Sequence, residues 1–241
     1  MSTRKQQSQS LEEILSSFFE EISPNREILS PTLPLIAAMK DMYAQNPSNA
    51  ICSFQLDDKS IANVINQLKE QLQQKNKINI SAFNTPLTYL LDELICNIQQ
   101  HAQTDLGYAY LVYNAARNAI EIIIADMGIT IYGSYIAAQK HLDKLGNSDA
   151  EALNLAQNGY SVKNLPNAEN RGYGISSNIR MVVDGLNGEF AVMSGNALLV
   201  QSASQKKILA LPENIDYKGT MVVVTIPANI PEGFNIYNYT S

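Results

Sequence analysis

The chain has 241 residues, 45% of them apolar, which suits one sizeable domain with appendages or two small ones. A formal net charge of −6 argues against a general nucleic-acid or anionic-membrane binder, while leaving room for a local basic site. The two cysteines, Cys52 and Cys96, sit in no metal-type or redox-type pair and read as free thiols in a reducing compartment.

The first residues, "MSTRKQQSQSLEEILSSFF", carry two basic groups but no apolar run like that of a signal peptide. No stretch approaches the roughly 18 uninterrupted apolar residues of a membrane span. The expectation is a soluble, cytoplasmic protein with no membrane or nucleic-acid partner.

In chain order, residues 1–10 are polar and read as disordered. Leu11, Ile14, Leu15, Phe18 and Phe19 follow helical spacing over 11–21, and a second helix is predicted over 33–43. "AQNPSNA" is a loop and the domain boundary, making residues 1–49 a helical extension, 50–230 the main domain and 231–241 a tail. The extension reads as a surface for homodimerisation or for a partner, with packing onto its own domain as the alternative.

Residues 50–56 read as a strand and 59–75 as an amphipathic helix. Thr85 and Pro86 then suggest a cap and a first helical position for the helix carrying "DELICNIQQHAQTD". Strands at 108–114 and 119–127 form a hairpin, the second buried throughout. Residues 129–171 are polar, with helices predicted at 134–145 and 148–158 and a long loop after them. A helix near 175–184 follows, then four strands within 188–227. The fold class is α/β, a two-layer sandwich with helices over one face of a mixed, largely antiparallel sheet.

On a wheel of 100° per residue, Leu87, Leu91, Leu94, Ile95, Ile98 and Ala102 share a broad apolar arc. Glu93, Asn97, Gln100 and His101 run along its edge, where side chains line a cleft or make ordinary boundary hydrogen bonds. Three later stretches offer partners. In "ADMGITI", Asp126 ends an apolar strand and can accept from an exocyclic amine such as adenine's; Gly128 permits a bend or a close ligand approach. The alternative is a plain turn after a strand. In "NRGYGISSNIR", Gly172 and Gly174 precede a helix, whose N-terminus favours an anion, although a glycine pair alone is weak evidence. In "KGTMVVVTIP", Thr220 can place a hydroxyl at a pocket, or serve only as a strand residue.

Together, and in this order, the four stretches resemble the GHKL ATP-binding superfamily of gyrase, heat-shock chaperone, histidine kinase and mismatch-repair ATPases. The resemblance covers roughly residues 50–227. "ELICNIQQHA" is similar to the family's N box, which implies Mg²⁺ ligation by Asn97, a base role for Glu93, and a cofactor-facing position for His101. "DMG" resembles the first glycine box, implying adenine recognition by Asp126 and close approach at Gly128. "RGYGIS" resembles the second, implying phosphate contact at Gly172 and Gly174. Thr220 matches the closing box beside adenine, and residues 129–171 match the ATP lid, with Lys163 and Arg171 as candidates to reach phosphates.

Thr130 stands where the family often has a second glycine, and no segment resembles a phosphoacceptor histidine region. The chain is thus most similar to stand-alone, anti-sigma-factor-like serine/threonine kinases of bacterial partner-switching systems. The implied activity is Mg-ATP hydrolysis or phosphorylation of a regulatory protein partner. The alternative is a non-catalytic, ATP-gated sequestering module.

Overall fold

A computed structural model describes residues 51–76, 83–115, 117–162, 174–211 and 216–239. The chain divides into two units, Met1–Ile51 and Cys52–Ser241, and the architecture below is that of the second unit with its first strand. The helices predicted at 11–21 and 33–43 lie outside the described residues, as does most of the loop after residue 162.

The elements are β1 (Ile51–Gln55), α1 (Asp58–Asn76), α2 (Asn84–His101), β2 (Leu106–Asn114), β3 (Ala119–Asp126), α3 (Ile131–Ala138), α4 (Asp149–Gln157), α5 (Ile175–Ile179), β4 (Glu189–Gly195), β5 (Ala197–Gln201), β6 (Lys206–Ala210) and β7 (Tyr217–Pro227). The strands form one sheet in the order β1-β2-β3-β7-β4-β5-β6. The pairings β2–β3, β3–β7, β7–β4, β4–β5 and β5–β6 are all antiparallel, so the parallel component of the expected mixed sheet is not found among them. The protein is α/β, and the 108–114 and 119–127 runs do pair as a hairpin, Tyr110 opposite Ile123.

Helical periodicity explains how the layers meet. Ile61, Val64, Ile65, Leu68 and Leu72 of α1 and Leu87, Leu91, Leu94, Ile95 and Ile98 of α2 are all buried in one apolar cluster. Alternate strand residues complete it: Ala109 and Leu111, then Ile120, Ile122 and Ile124, then Phe190 and Val192, then Val222, Val224 and Ile226. Each of the larger side chains among them contributes about 1.5–3 kcal/mol when fully removed from water. Every residue of β3 is buried, as its unbroken aliphatic run predicts.

Several local expectations shift. Helix α2 begins at Asn84, not after Thr85, with Phe83 as the flanking residue and no side-chain cap. Buried Phe83 anchors the start by packing, and Pro86 lies within the first turn, where backbone N–H groups have no intrahelical partner to lose. Helix α3 spans Ile131–Ala138 instead of 134–145: Thr130 Oγ1 accepts from the Gly133 N–H at 3.1 Å, and Gln139 ends the helix in the left-handed region. Helix α4 starts where Ser148 and Glu151 cap it, Ser148 Oγ accepting the Glu151 N–H at 3.2 Å. The helix predicted near 175–184 is α-helical only through Ile179; residues Arg180–Gly185 form a π-helical turn.

Candidate functional site

The helix–sheet interface opens into a cavity of about 840 Å³, counting its solvent mouth. Its walls are built from the ends and starts of six elements. Ile124 and Asp126 come from the end of β3, and Thr220 and Val222 from the start of β7. Leu94, Asn97, Ile98 and His101 come from the last turns of α2. Thr130, Ser134 and Tyr135 from α3 and its cap, then Tyr160 and Ser161 after α4, and Gly174 and Ser176 at α5 close the remaining sides.

Five sequence candidates therefore meet around one cavity: Asn97, His101, Asp126, Gly174 and Thr220. Glu93 is half-buried one helical turn before Asn97 and does not line it. Gly128 does not line it either. Its backbone packs against the end of α2, so that a Cβ added there would lie 1.8 Å from the Ala102 carbonyl oxygen. The same close approach brings the Ile129 N–H to that oxygen at 2.7 Å. Lys163, Arg171 and Gly172 lie outside the described residues.

Asp126 is a strongly perturbed group at the cavity. Only 2% exposed, its carboxyl is pushed up to about 7 by burial, against the pull of the Gly128 and Thr220 backbone donors. The Gly128 N–H donates to Asp126 Oδ1 at 2.9 Å. Tyr217 donates its buried hydroxyl to the Asp126 carbonyl oxygen at 3.0 Å, tying β7 to the end of β3. Gly219 is needed beside it: its φ is +116°, and a Cβ would fall 2.3 Å from the Asp126 carbonyl oxygen.

On α2, Asn97 Nδ2 is buried without a hydrogen-bond partner among the described residues. A polar group in that state is one that a bound ligand can satisfy. Gly174 stands at the N-terminus of α5 with open space where a Cβ would be. Its N–H already donates to Ser177 Oγ at 3.1 Å, so that amide is engaged within the loop. Among the described residues no group of three or more His, Cys, Asp or Glu is placed to hold a metal.

Sequence reasoning missed the wall formed by α3 and the segment after α4. Tyr135, Leu145, Ala152 and Leu155 form a second apolar cluster, against which Ile131, Tyr132, Tyr160 and Val162 pack. Tyr135 donates its hydroxyl to the Tyr160 carbonyl, and His141 packs edge-on against both rings. Lys144 Nζ sits 4.5 Å from the centre of the Tyr160 ring. Tyrosines spaced through a polar stretch were the available signal.

No protein-family model matches the chain, and no curated protein matches it.

Proposed function

We propose that the cavity binds an adenine nucleotide with Mg²⁺, and that the protein uses Mg-ATP to hydrolyse ATP or phosphorylate a regulatory protein partner. One observation carries the reading: residues singled out from four separate stretches, Asn97, His101, Asp126, Gly174 and Thr220, line a single cavity. Its apolar walls with few convergent polar groups suit a planar base.

The residues present fit the ligand. Asp126 and Thr220 offer acceptors at the sheet end, in a lining that also holds the apolar side chains of Ile98, Ile124 and Val222. Asn97 is the protein ligand for Mg²⁺, an ion usually held by one or two side chains together with substrate phosphates. The metal supplies charge neutralisation at the phosphates when bound. The chain itself positions: it buries the base, excludes water from it and sets the acceptor geometry. In the catalytic version Glu93 receives the proton of the attacking water or hydroxyl. The histidine-kinase-like ATPase fold is part of this proposal, supported by the α/β layers and by the order of the stretches.

A second reading, a nucleotide-gated module that sequesters its partner, is favoured by the position of Glu93 outside the cavity lining. Incubation with labelled ATP and a lysate of the source cell separates the two, scoring free phosphate against labelled protein. Catalysis predicts that Glu93→Gln lowers turnover by about a hundred- to ten-thousand-fold while nucleotide still binds. Binding without turnover in both parent and variant establishes the latch.

A further inference from the structure

Ser194 stands where the ladder between β4 and β7 loses its regular step. It faces Thr220 across the ladder, but the next residue, Gly195, faces Tyr217, leaving Lys218 and Gly219 without register partners on β4. A buried carbonyl at such an irregularity needs a donor from elsewhere. The fully buried Ser194 hydroxyl provides one, lying 3.1 Å from the Gly219 carbonyl oxygen. It also accepts the N–H of Ile131, the first residue of α3, at 2.9 Å, and lies 3.2 Å from Thr220 Oγ1.

These contacts fix where the protons go. A serine hydroxyl has one proton and two lone pairs. The Gly219 carbonyl can only accept and the Ile131 N–H can only donate. Satisfying both sends the Ser194 proton to Gly219 and spends one lone pair on Ile131. The remaining lone pair faces Thr220, so Thr220 is the donor between the two hydroxyls. Its own proton thus points away from the cavity, and its oxygen presents lone pairs to it. Asp126, whose carboxyl accepts from the Thr220 backbone, also lines the cavity.

We propose that Ser194 is a specificity-determining positioning residue for the nucleotide reading above. By fixing the direction of the Thr220 hydroxyl, it makes the base end of the cavity a surface of two acceptors. Such a surface selects a base edge bearing an exocyclic amine and rejects one bearing a carbonyl. The same hydroxyl holds the first residue of α3, so the wall over the cavity is fixed to the atom that sets its polarity.

The test compares binding of Mg-ATP and Mg-inosine triphosphate, in which a carbonyl replaces the amine, by calorimetric titration of the full chain at pH 8, where the Asp126 carboxylate is ionised and accepts. The parent prefers ATP. In Ser194→Ala the Thr220 proton is released toward the cavity and can meet the carbonyl; in Thr220→Val the second acceptor is gone. Each variant lowers the ATP-over-inosine preference by about tenfold, the scale of one hydrogen bond. Equal weakening of both nucleotides, with the preference intact, shows a merely structural serine and overturns the proposal. Thr220→Val keeps the Ser194 bonds to Gly219 and Ile131, so it decides the matter even if Ser194→Ala does not fold. A parent that binds neither nucleotide refutes the nucleotide reading itself, an outcome distinct from a preserved preference.

Discussion

Asp126 concentrates the chemistry of the cavity and its cost. Its folded carboxyl titrates near 7, against an ordinary value of 3.8. Between those values the folded state holds a proton that the unfolded state has released, so this group makes stability fall as pH rises toward 7 and leaves it level above. Asp126→Asn removes that penalty, and we predict a higher melting temperature than the parent at pH 8 in the absence of nucleotide. Binding moves the other way. An amine donates to the ionised carboxylate, so nucleotide affinity should rise with pH through about 7, and the variant should lose that step. Tyr217, which touches the Asp126 carbonyl, is pushed far up by burial and does not titrate in this window. Any contribution from His101, which also lines the cavity, would persist in the variant. A pH profile of affinity unchanged by Asp126→Asn would remove this residue from the site. Gly128 is a contrasting case. A methyl group there meets the Ala102 carbonyl oxygen at 1.8 Å, so Gly128→Ala should lower the denaturant midpoint markedly, with nucleotide affinity changing only through stability. An unaltered midpoint would show that the end of α2 yields to the methyl.

At the scale of elements, the wall over the cavity is more firmly built than a polar stretch suggests. Leu153 of α4 is fully buried in the main core, and Ala152 and Leu155 on the same helix join the tyrosine cluster. Asp149 Oδ2 accepts the Asn196 N–H at 3.2 Å, pinning the start of α4 to the β4–β5 turn. We therefore expect α3 and α4 to resist proteolysis without nucleotide, which narrows any mobile lid to a fraction of residues 129–171. Rapid cleavage within 131–157 of the nucleotide-free protein would contradict this. Leu153→Ala should cost about 2–5 kcal/mol by leaving a cavity in the core, measured as a shift in denaturant midpoint. The limits of legibility are physical here. Periodicity finds α1 and α2 because each buries one face; it gave no sign that Phe83 replaces a polar cap, since burial of that ring depends on the rest of the fold. The π-helical turn after Ile179 inserts a residue without any local sequence mark. Ser194 reads as an ordinary strand residue until pairing with β7 sets it beside Gly219 and Thr220.

For the whole molecule, the order of β3 and β7 in the sheet is what makes the site. They pair directly, Ala125 opposite Met221, which places Asp126 and Thr220 at one end although 93 residues lie between them in the sequence. Helix α2 crosses that end with its polar seam, so Asn97 and His101 reach the same cavity. The seam and the aspartate were legible because each breaks an apolar pattern; Glu93 shares the spacing yet stands outside the lining, because a wheel gives angle and not the depth at which the cavity ends. The most direct measurement is a calorimetric titration of the full chain with Mg-ATP, beside Asp126→Asn and Asn97→Ala. The account predicts saturable one-site binding by the parent, weakened binding in Asp126→Asn, and loss of the Mg²⁺ dependence in Asn97→Ala. Absence of binding by the folded parent, or equal affinity in all three proteins, would contradict it.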